Sequence, residues 1–362
     1  MIATIWALPA SIPSPDYSWQ IWRVPIGEWL HGILPFIPKL YVLQIHAYAI
    51  CIMTGIIAAT IFTAYRLKQR GAEPGVVLDI ALWSVPFGII GGRIFHVLTH
   101  PDDYFGPGKD LMKTLYIWEG GMAIFGALMF GALGTYIGCK FAGVRFWSFA
   151  DALAPSLLLA QAFGRLGNYF NHELFGLPTN LPWGLEIESS NPAFPAGLPA
   201  GTLFHPTFLY EIIWNLIGVG VLLLIERRWK IVKRTIPFFD IEVSVPKPGA
   251  YRIQWGRLLG CYLIWYGIGR SFFESIRIDP SEIFLGIRTN VWASFAAILV
   301  GLVIFFVQRR RHPGVEPSPY LPGREWNSST VVHSKDVYSD SDFDGSEAVN
   351  AKKVKESTRS SS

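Results

Sequence analysis

Residues 45–65 read IHAYAICIMTGIIAATIFTAY, twenty-one positions without a charged side chain. A helix needs roughly 20 mainly apolar residues to cross a bilayer, so this stretch predicts a membrane span. Six more stretches have the same character: 76–98, 116–137, 146–163, 208–225, 258–273 and 291–307. The fourth and sixth are short. The last is again uncharged, whereas Asp79, Arg93, Glu119, Asp151, Glu211 and Arg270 interrupt the middle ones. The expected fold class is an all-α integral membrane protein with about seven transmembrane helices.

Composition agrees with this reading. Of 362 residues, 51% are hydrophobic and 16% charged, where a soluble protein carries about 25% charge. A mainly disordered chain, a disulfide scaffold and a simple soluble enzyme are excluded. The formal charge of +4 gives nucleic-acid binding no support. Cys51, Cys139 and Cys261 are too scattered for a metal site or a disulfide framework. The first basic residue is Arg23, so no positive n-region of a signal peptide is expected.

Lys and Arg set the orientation. With the N-terminus outside, the cytoplasmic segments 66–75, 138–145, 226–257 and 308–362 hold 22 basic residues, and the outer segments hold 7. The chain is expected to run N-out and C-in, in three parts. Residues 1–44, with Trp6, Trp19, Trp22 and Trp29, form an interfacial arm. Residues 45–311 form the membrane domain, with a long outer loop at 164–207. Residues 312–362, Ser-rich with Asp340, Asp342, Asp344 and Glu347 among lysines, form a disordered cytoplasmic tail. The pairs Gly88/Gly92 and Gly134/Gly138 read as close helix contacts.

An ionisable residue inside a span costs about 2.5–3.5 kcal/mol on insertion scales, so it calls for a partner, water or a function. Tyr266, Arg270 and Glu274 fall at i, i+4 and i+8, on one helical face. The fifth span opens with His205, Pro206, Tyr210 and Glu211. The second carries Gly91, Gly92, Arg93 and His96, and the third opens with Trp118, Glu119, Gly120 and Gly121. Four spans thus direct polar groups to the outer boundary. The densest stretch, 164–176, reads GRLGNYFNHELFG. Its lone Arg165 lies between glycines, and an arginine fork suits phosphate. Read from residues alone, this is an anion-binding loop beside a bilayer; the alternative is a structural re-entrant turn.

At this run the chain resembles the bacterial prolipoprotein diacylglyceryl transferases. IHAYAI, GGRIFHV, WEGGMAIFG, HPTFLYE and YGIGRSFFESIR follow the same order, and the resemblance covers roughly residues 41–310. It implies a multi-pass protein of the bacterial inner membrane. Such an enzyme moves the diacylglyceryl group of phosphatidylglycerol to the lipobox cysteine of a preprolipoprotein. A thioether forms, glycerol 1-phosphate leaves, and no metal or organic cofactor takes part.

By position the resemblance makes Arg165 a phosphatidylglycerol ligand. Asn168, Glu173 and Gly176 belong to the same signature, and Tyr48, Tyr266, Arg270 and Glu274 match positions important for activity. Arg165 and Arg270 are expected to stabilise the departing phosphate. Glu173 and Glu274 either orient those arginines or take the thiol proton. Two positions depart from the family pattern: Ala49 follows Tyr48 where glycine is usual, and Phe125 stands in GGMAIFGA where many members have histidine. The rival readings are a transporter and a phospholipid-binding membrane protein without catalysis.

Overall fold

A two-stranded ribbon, β1 (Ile21–Pro25) with β2 (Val42–His46), flanks the short helix α1 (Gly27–Ile33) and leads into the first long helix, α2 (Ala47–Gln69). Next come α3 (Val76–Thr99), the one-turn α4 (Pro101–Tyr104), α5 (Ile124–Phe141) and α6 (Phe146–Phe170). A small ribbon of β3 (Leu185–Glu186) and β4 (Leu203–Phe204) precedes α7 (Thr207–Glu226). The hairpin β5 (Arg227–Ile236) and β6 (Ile241–Tyr251) connects α7 to α8 (Arg257–Ile276). A tight hairpin of β7 (Ile283–Phe284) and β8 (Ile287–Arg288) then leads to α9 (Thr289–Arg311). This computed structural model describes residues 11–33, 42–106, 108–117, 120–236, 241–279 and 281–326. Residues 1–321 form one compact unit and 322–362 a second.

Among the described residues, seven long helices occupy the seven apolar stretches. Five of them, α2, α3, α5, α7 and α9, are long and apolar enough to cross a membrane. The other two are the ones protein surrounds. α6 packs against α2, α7 and α8, and it buries Ser148, Asp151, Ser156 and Asn168 along with its apolar residues. A helix enclosed by protein need not match the apolarity of lipid. The all-α expectation is qualified: antiparallel ribbons form several of the connections.

Lipid tails are as apolar as leucine, so helices in a bilayer associate through close packing rather than the hydrophobic effect. α3 and α5 do so along glycines. A Cβ on Gly126 would sit 2.2 Å from the Gly91 carbonyl, and one on Gly134 2.5 Å from that of Trp83. α7 and α8 join through Trp214 and Trp265, stacked at 4.3 Å, each lying over a glycine of the opposite helix (Gly269 and Gly218).

Buried ionic groups hold the end of the bundle opposite the signature. Arg66 grips the Glu226 carboxylate at 3.0 and 2.9 Å, and Arg70 reaches it at 2.6 Å. Asp151 accepts the N–H groups of Gly256, Leu258 and Leu259 at 2.9–3.0 Å, capping the start of α8 from within α6.

Three boundaries differ from the expectation. The third helix begins at Ile124, not 116, because Gly120 and Gly121 take left-handed φ of +90° and +73°. Trp118 and Glu119 lie outside the described residues. The fourth helix runs on through Phe170, so the loop expected from 164 starts at 171. The segment after α9 is not a free tail from 312. Val144 bridges Tyr320, the Arg145 N–H donates to the Pro319 carbonyl at 2.7 Å, and Ser148 Oγ donates to the buried Glu316 at 2.7 Å. The expected disorder of 327–362 lies outside the described residues. In the N-terminal arm Trp19, Trp22 and Trp29 are exposed; Trp6 also lies outside.

Candidate active site

The signature stands half on a helix and half on a turn. In the last turns of α6, Gly167 lets α2 approach so closely that a Cβ would meet the Tyr48 ring at 2.6 Å. Arg165 and Asn168 are one turn apart, and Arg165 Nη1 donates to Asn168 Oδ1 at 3.0 Å. Asn168 Nδ2 donates to Glu173 Oε1 at 2.8 Å, and Asn171 Nδ2 donates to the same oxygen at 3.1 Å. The second Glu173 oxygen accepts no hydrogen bond from the described residues.

Glu173 is aimed by strained backbone. His172 and Leu174, on either side of it, have φ of +51° and +58°. Left-handed conformations at non-glycine residues cost of order 1–3 kcal/mol and persist where the surroundings over-determine them. Here they do. Asn191 Nδ2 donates to the His172 carbonyl at 2.9 Å, Thr207 Oγ1 donates to the Leu174 carbonyl, and the Gly176 N–H donates to the His205 carbonyl at 2.9 Å. Gly176 itself is enclosed: a Cβ there would meet His205 Cβ at 2.8 Å and the Ile276 carbonyl at 2.9 Å. It is the packing point of the signature turn on α7 and α8, not an open surface.

α7 contributes Glu211, whose Oε2 lies 2.7 Å from Arg165 Nε. α8 presents Tyr266, Arg270 and Glu274 on one face, as their spacing predicts. Glu274 is fully buried. Its Oε2 faces Arg270 Nη2 at 3.0 Å and Arg277 at 3.7 Å; its Oε1 takes Arg288 at 3.3 Å and Asn290 Nδ2 at 2.9 Å. The Glu274 carboxylate is thus enclosed by three guanidinium groups. Arg277 also grips Asp279 with two nitrogens, at 2.7 and 3.0 Å. The Arg165–Glu211 pair of α6 and α7 and the Glu274 group of α8 are the charged cluster at this end of the bundle. Within it Arg270 Nη1 is buried and has no acceptor among the described residues. The hydroxyls of Tyr48 and Tyr266 make no hydrogen bond to described residues either; Tyr266 stacks on Tyr262 at 6.2 Å.

Not every polar group expected at this boundary joins the cluster. Arg93 spends its guanidinium on the carbonyls of Lys113, Thr114, Gly120 and Gly121 and lies 5.1 Å over the Tyr104 ring. It ties down the segment ahead of α5. Phe125, on α5, tilts against Phe95 at 6.4 Å and is exposed. His172 is buried, with Nδ1 3.1 Å from Glu188 and its ring 4.7 Å from that of Tyr17.

Sequence reasoning left four members of the cluster out of the site: Glu211, Arg277, Arg288 and Asn290. Arg277, three residues beyond Glu274, had a helical-spacing signal. Glu211, at the polar start of the fifth span, had a positional one. Arg288 and Asn290 meet Glu274 only through the turn between α8 and α9.

The chain matches the profile of the family described as prolipoprotein diacylglyceryl transferase over residues 35–307. It is 57% identical over 326 residues to the phosphatidylglycerol–prolipoprotein diacylglyceryl transferase of Leifsonia xyli subsp. xyli, covering 88% of this chain and 87% of that one. A Streptomyces coelicolor protein named phosphatidylglycerol–prolipoprotein diacylglyceryl transferase 2 is 43% identical, covering 78% and 81%. The Mycobacteroides abscessus protein with the first of these names is 41% identical, covering 82% and 78%. The match spans α2 to α9 and includes the whole charged cluster, and by it the chain belongs to the prolipoprotein diacylglyceryl transferase family.

Proposed function

We propose that this chain transfers the diacylglyceryl group of phosphatidylglycerol to a prolipoprotein, with the lipobox cysteine thiol as acceptor. The sulfur attacks the glyceryl carbon attached to phosphate. A C–S bond forms, the C–O bond breaks with its electron pair passing to the phosphate oxygen, and glycerol 1-phosphate leaves. The observation that carries this reading is the buried Nη1 of Arg270, which has no acceptor among the described residues. A guanidinium N–H in a partly dry site is a strong donor for an anionic oxygen that gains charge in the transition state. Arg165 and Arg270 therefore take the phosphate. Glu173, one oxygen of which accepts nothing from the described residues, takes the thiol proton, and Glu274 positions the arginines. Tyr48 and Tyr266 offer hydroxyls to the glycerol headgroup. Asn168 passes the hold from Arg165 to Glu173.

In this reading all seven long helices cross the inner membrane of a bacterium, N-terminus outside and C-terminus cytoplasmic, in keeping with the bias of Lys and Arg. The exposed tryptophans of the N-terminal arm lie at headgroup depth. The purified protein in phosphatidylglycerol vesicles is to be given a lipobox-bearing substrate and its mobility followed. A shift that needs both the lipid and the cysteine supports transfer. Lipid binding without any shift would favour a non-catalytic binder, and passage of a solute without either would favour a transporter.

A further inference from the structure

The hairpin between α8 and α9 has an unusual tip. Ile283 pairs with Arg288 and Phe284 with Ile287, leaving Leu285 and Gly286 as a two-residue turn with φ of +51° and +78°. Such a turn favours Asn or Asp followed by Gly. Leucine at its first position is strained and gains nothing from the fold, because Leu285 is 75% exposed. Ile283 and Phe284 are exposed to 71% and 61%. A contiguous apolar patch marks a contact with something apolar.

The patch continues onto a surface of known character. Trp292, in the first turn of α9, donates its Nε1 to the Phe284 carbonyl at 3.0 Å and packs edge-on to the Phe284 ring. From Trp292 the outward face of α9 runs on through Phe295, Leu299, Val303 and Phe306, all exposed. α9 is apolar enough to cross a membrane, so this face is a lipid face, and tryptophan at the end of such a helix marks headgroup depth.

We propose that the β7–β8 hairpin is seated in the bilayer, its apolar tip at the boundary between headgroups and acyl chains. The base of the same ribbon is Arg288, which reaches Glu274 and donates to the Asp279 carbonyl at 2.9 Å. The membrane seat and the charged cluster thus share one short element.

The test is a polarity-sensitive fluorophore on Leu285→Cys of the full chain in phosphatidylglycerol vesicles, without substrate. The parent protein, labelled in parallel, gives the background of its buried Cys51 and Cys139 and half-buried Cys261. Blue-shifted emission, quenched by a nitroxide on the lipid acyl chain and protected from iodide, is expected. Emission at the aqueous maximum with free access to iodide would overturn the proposal. So would aqueous emission that shifts only when a prolipoprotein signal peptide is added, which would assign the tip to polypeptide. Should Leu285→Cys fail to insert, Ile283→Cys carries the same probe. The readout does not depend on transfer, so its failure is distinct from failure of the enzymatic reading.

Discussion

Arg165 Nε lies 2.7 Å from Oε2 of Glu211. With Asn168 accepting from Nη1, the guanidinium of Arg165 is fixed from two sides, and Nη2 has no hydrogen-bond partner among the described residues. The side chain is a pre-set fork, held by one residue of α6 and one of α7.

Lysine keeps the charge but cannot make these contacts together. Arg165→Lys should lower transfer by about 10²-fold, the scale of losing one fixed donor to a developing anion. Glu211→Gln should lower it as well, by freeing the fork. The check is initial rate in vesicles at equal amounts of inserted protein; an unchanged Arg165→Lys would show that the fixed guanidinium is not needed.

Glu274→Gln leaves Arg270, Arg277 and Arg288 facing one another without their shared anion. Breaking a buried ion pair costs about 3–5 kcal/mol, so this variant should lose both thermal stability in detergent and transfer. A variant with wild-type melting and no transfer would return Glu274 to the role of base.

The helices were legible because spans must be long and apolar, and Arg270 with Glu274 was legible because a helix sets i, i+4 neighbours. Arg288 and Asn290 were not, because they reach Glu274 around a turn. Glu316 and Tyr320 sit in a Pro- and Ser-rich run that looks unable to fold. They are held by distant groups, Ser148 at 2.7 Å and the Glu73 N–H at 2.8 Å, which no local pattern announces. Phe170 extends the fourth helix because its polar last turns face protein rather than lipid.

Removing residues 327–362 should leave transfer intact. Removing 312–362 should destabilise the protein, since it also takes away the contacts of Arg145 with Pro319 and Tyr320, both at 2.7 Å. Thermal melting of the two truncations separates these outcomes; equal melting would show the 312–321 segment to be dispensable.

Burial raises the Glu316 carboxyl above its ordinary value, against the opposing pull of Ser148 and Arg70. Between the ordinary and the raised value, the docked segment therefore holds a proton that the undocked one releases. Its docking should be strongest below the ordinary carboxylate pKa and weaken as pH rises through the raised one. Glu316→Gln should abolish that dependence. Hydrogen exchange at the Glu316 amide, which donates to Gln254 Oε1 at 2.9 Å, compared between the two proteins across pH, is the check.

Phe125, where the resemblance implies a histidine in many members, lies on α5 against Phe95. A general base contributes about 10²–10⁴-fold. With Glu173 as proton acceptor, Phe125→His should change the rate by less than about tenfold. An inert wild type restored by Phe125→His would show that histidine is required.

If Arg270 and Arg165 together hold the phosphate while the diacylglyceryl group moves, loss of either must slow transfer. The most direct measurement is the rate of diacylglyceryl transfer from phosphatidylglycerol to a lipobox peptide by purified wild type and Arg270→Gln in vesicles. A competent wild type is expected, with a folded, inserted Arg270→Gln slower by at least about 10²-fold. Equal rates in the two proteins would contradict it.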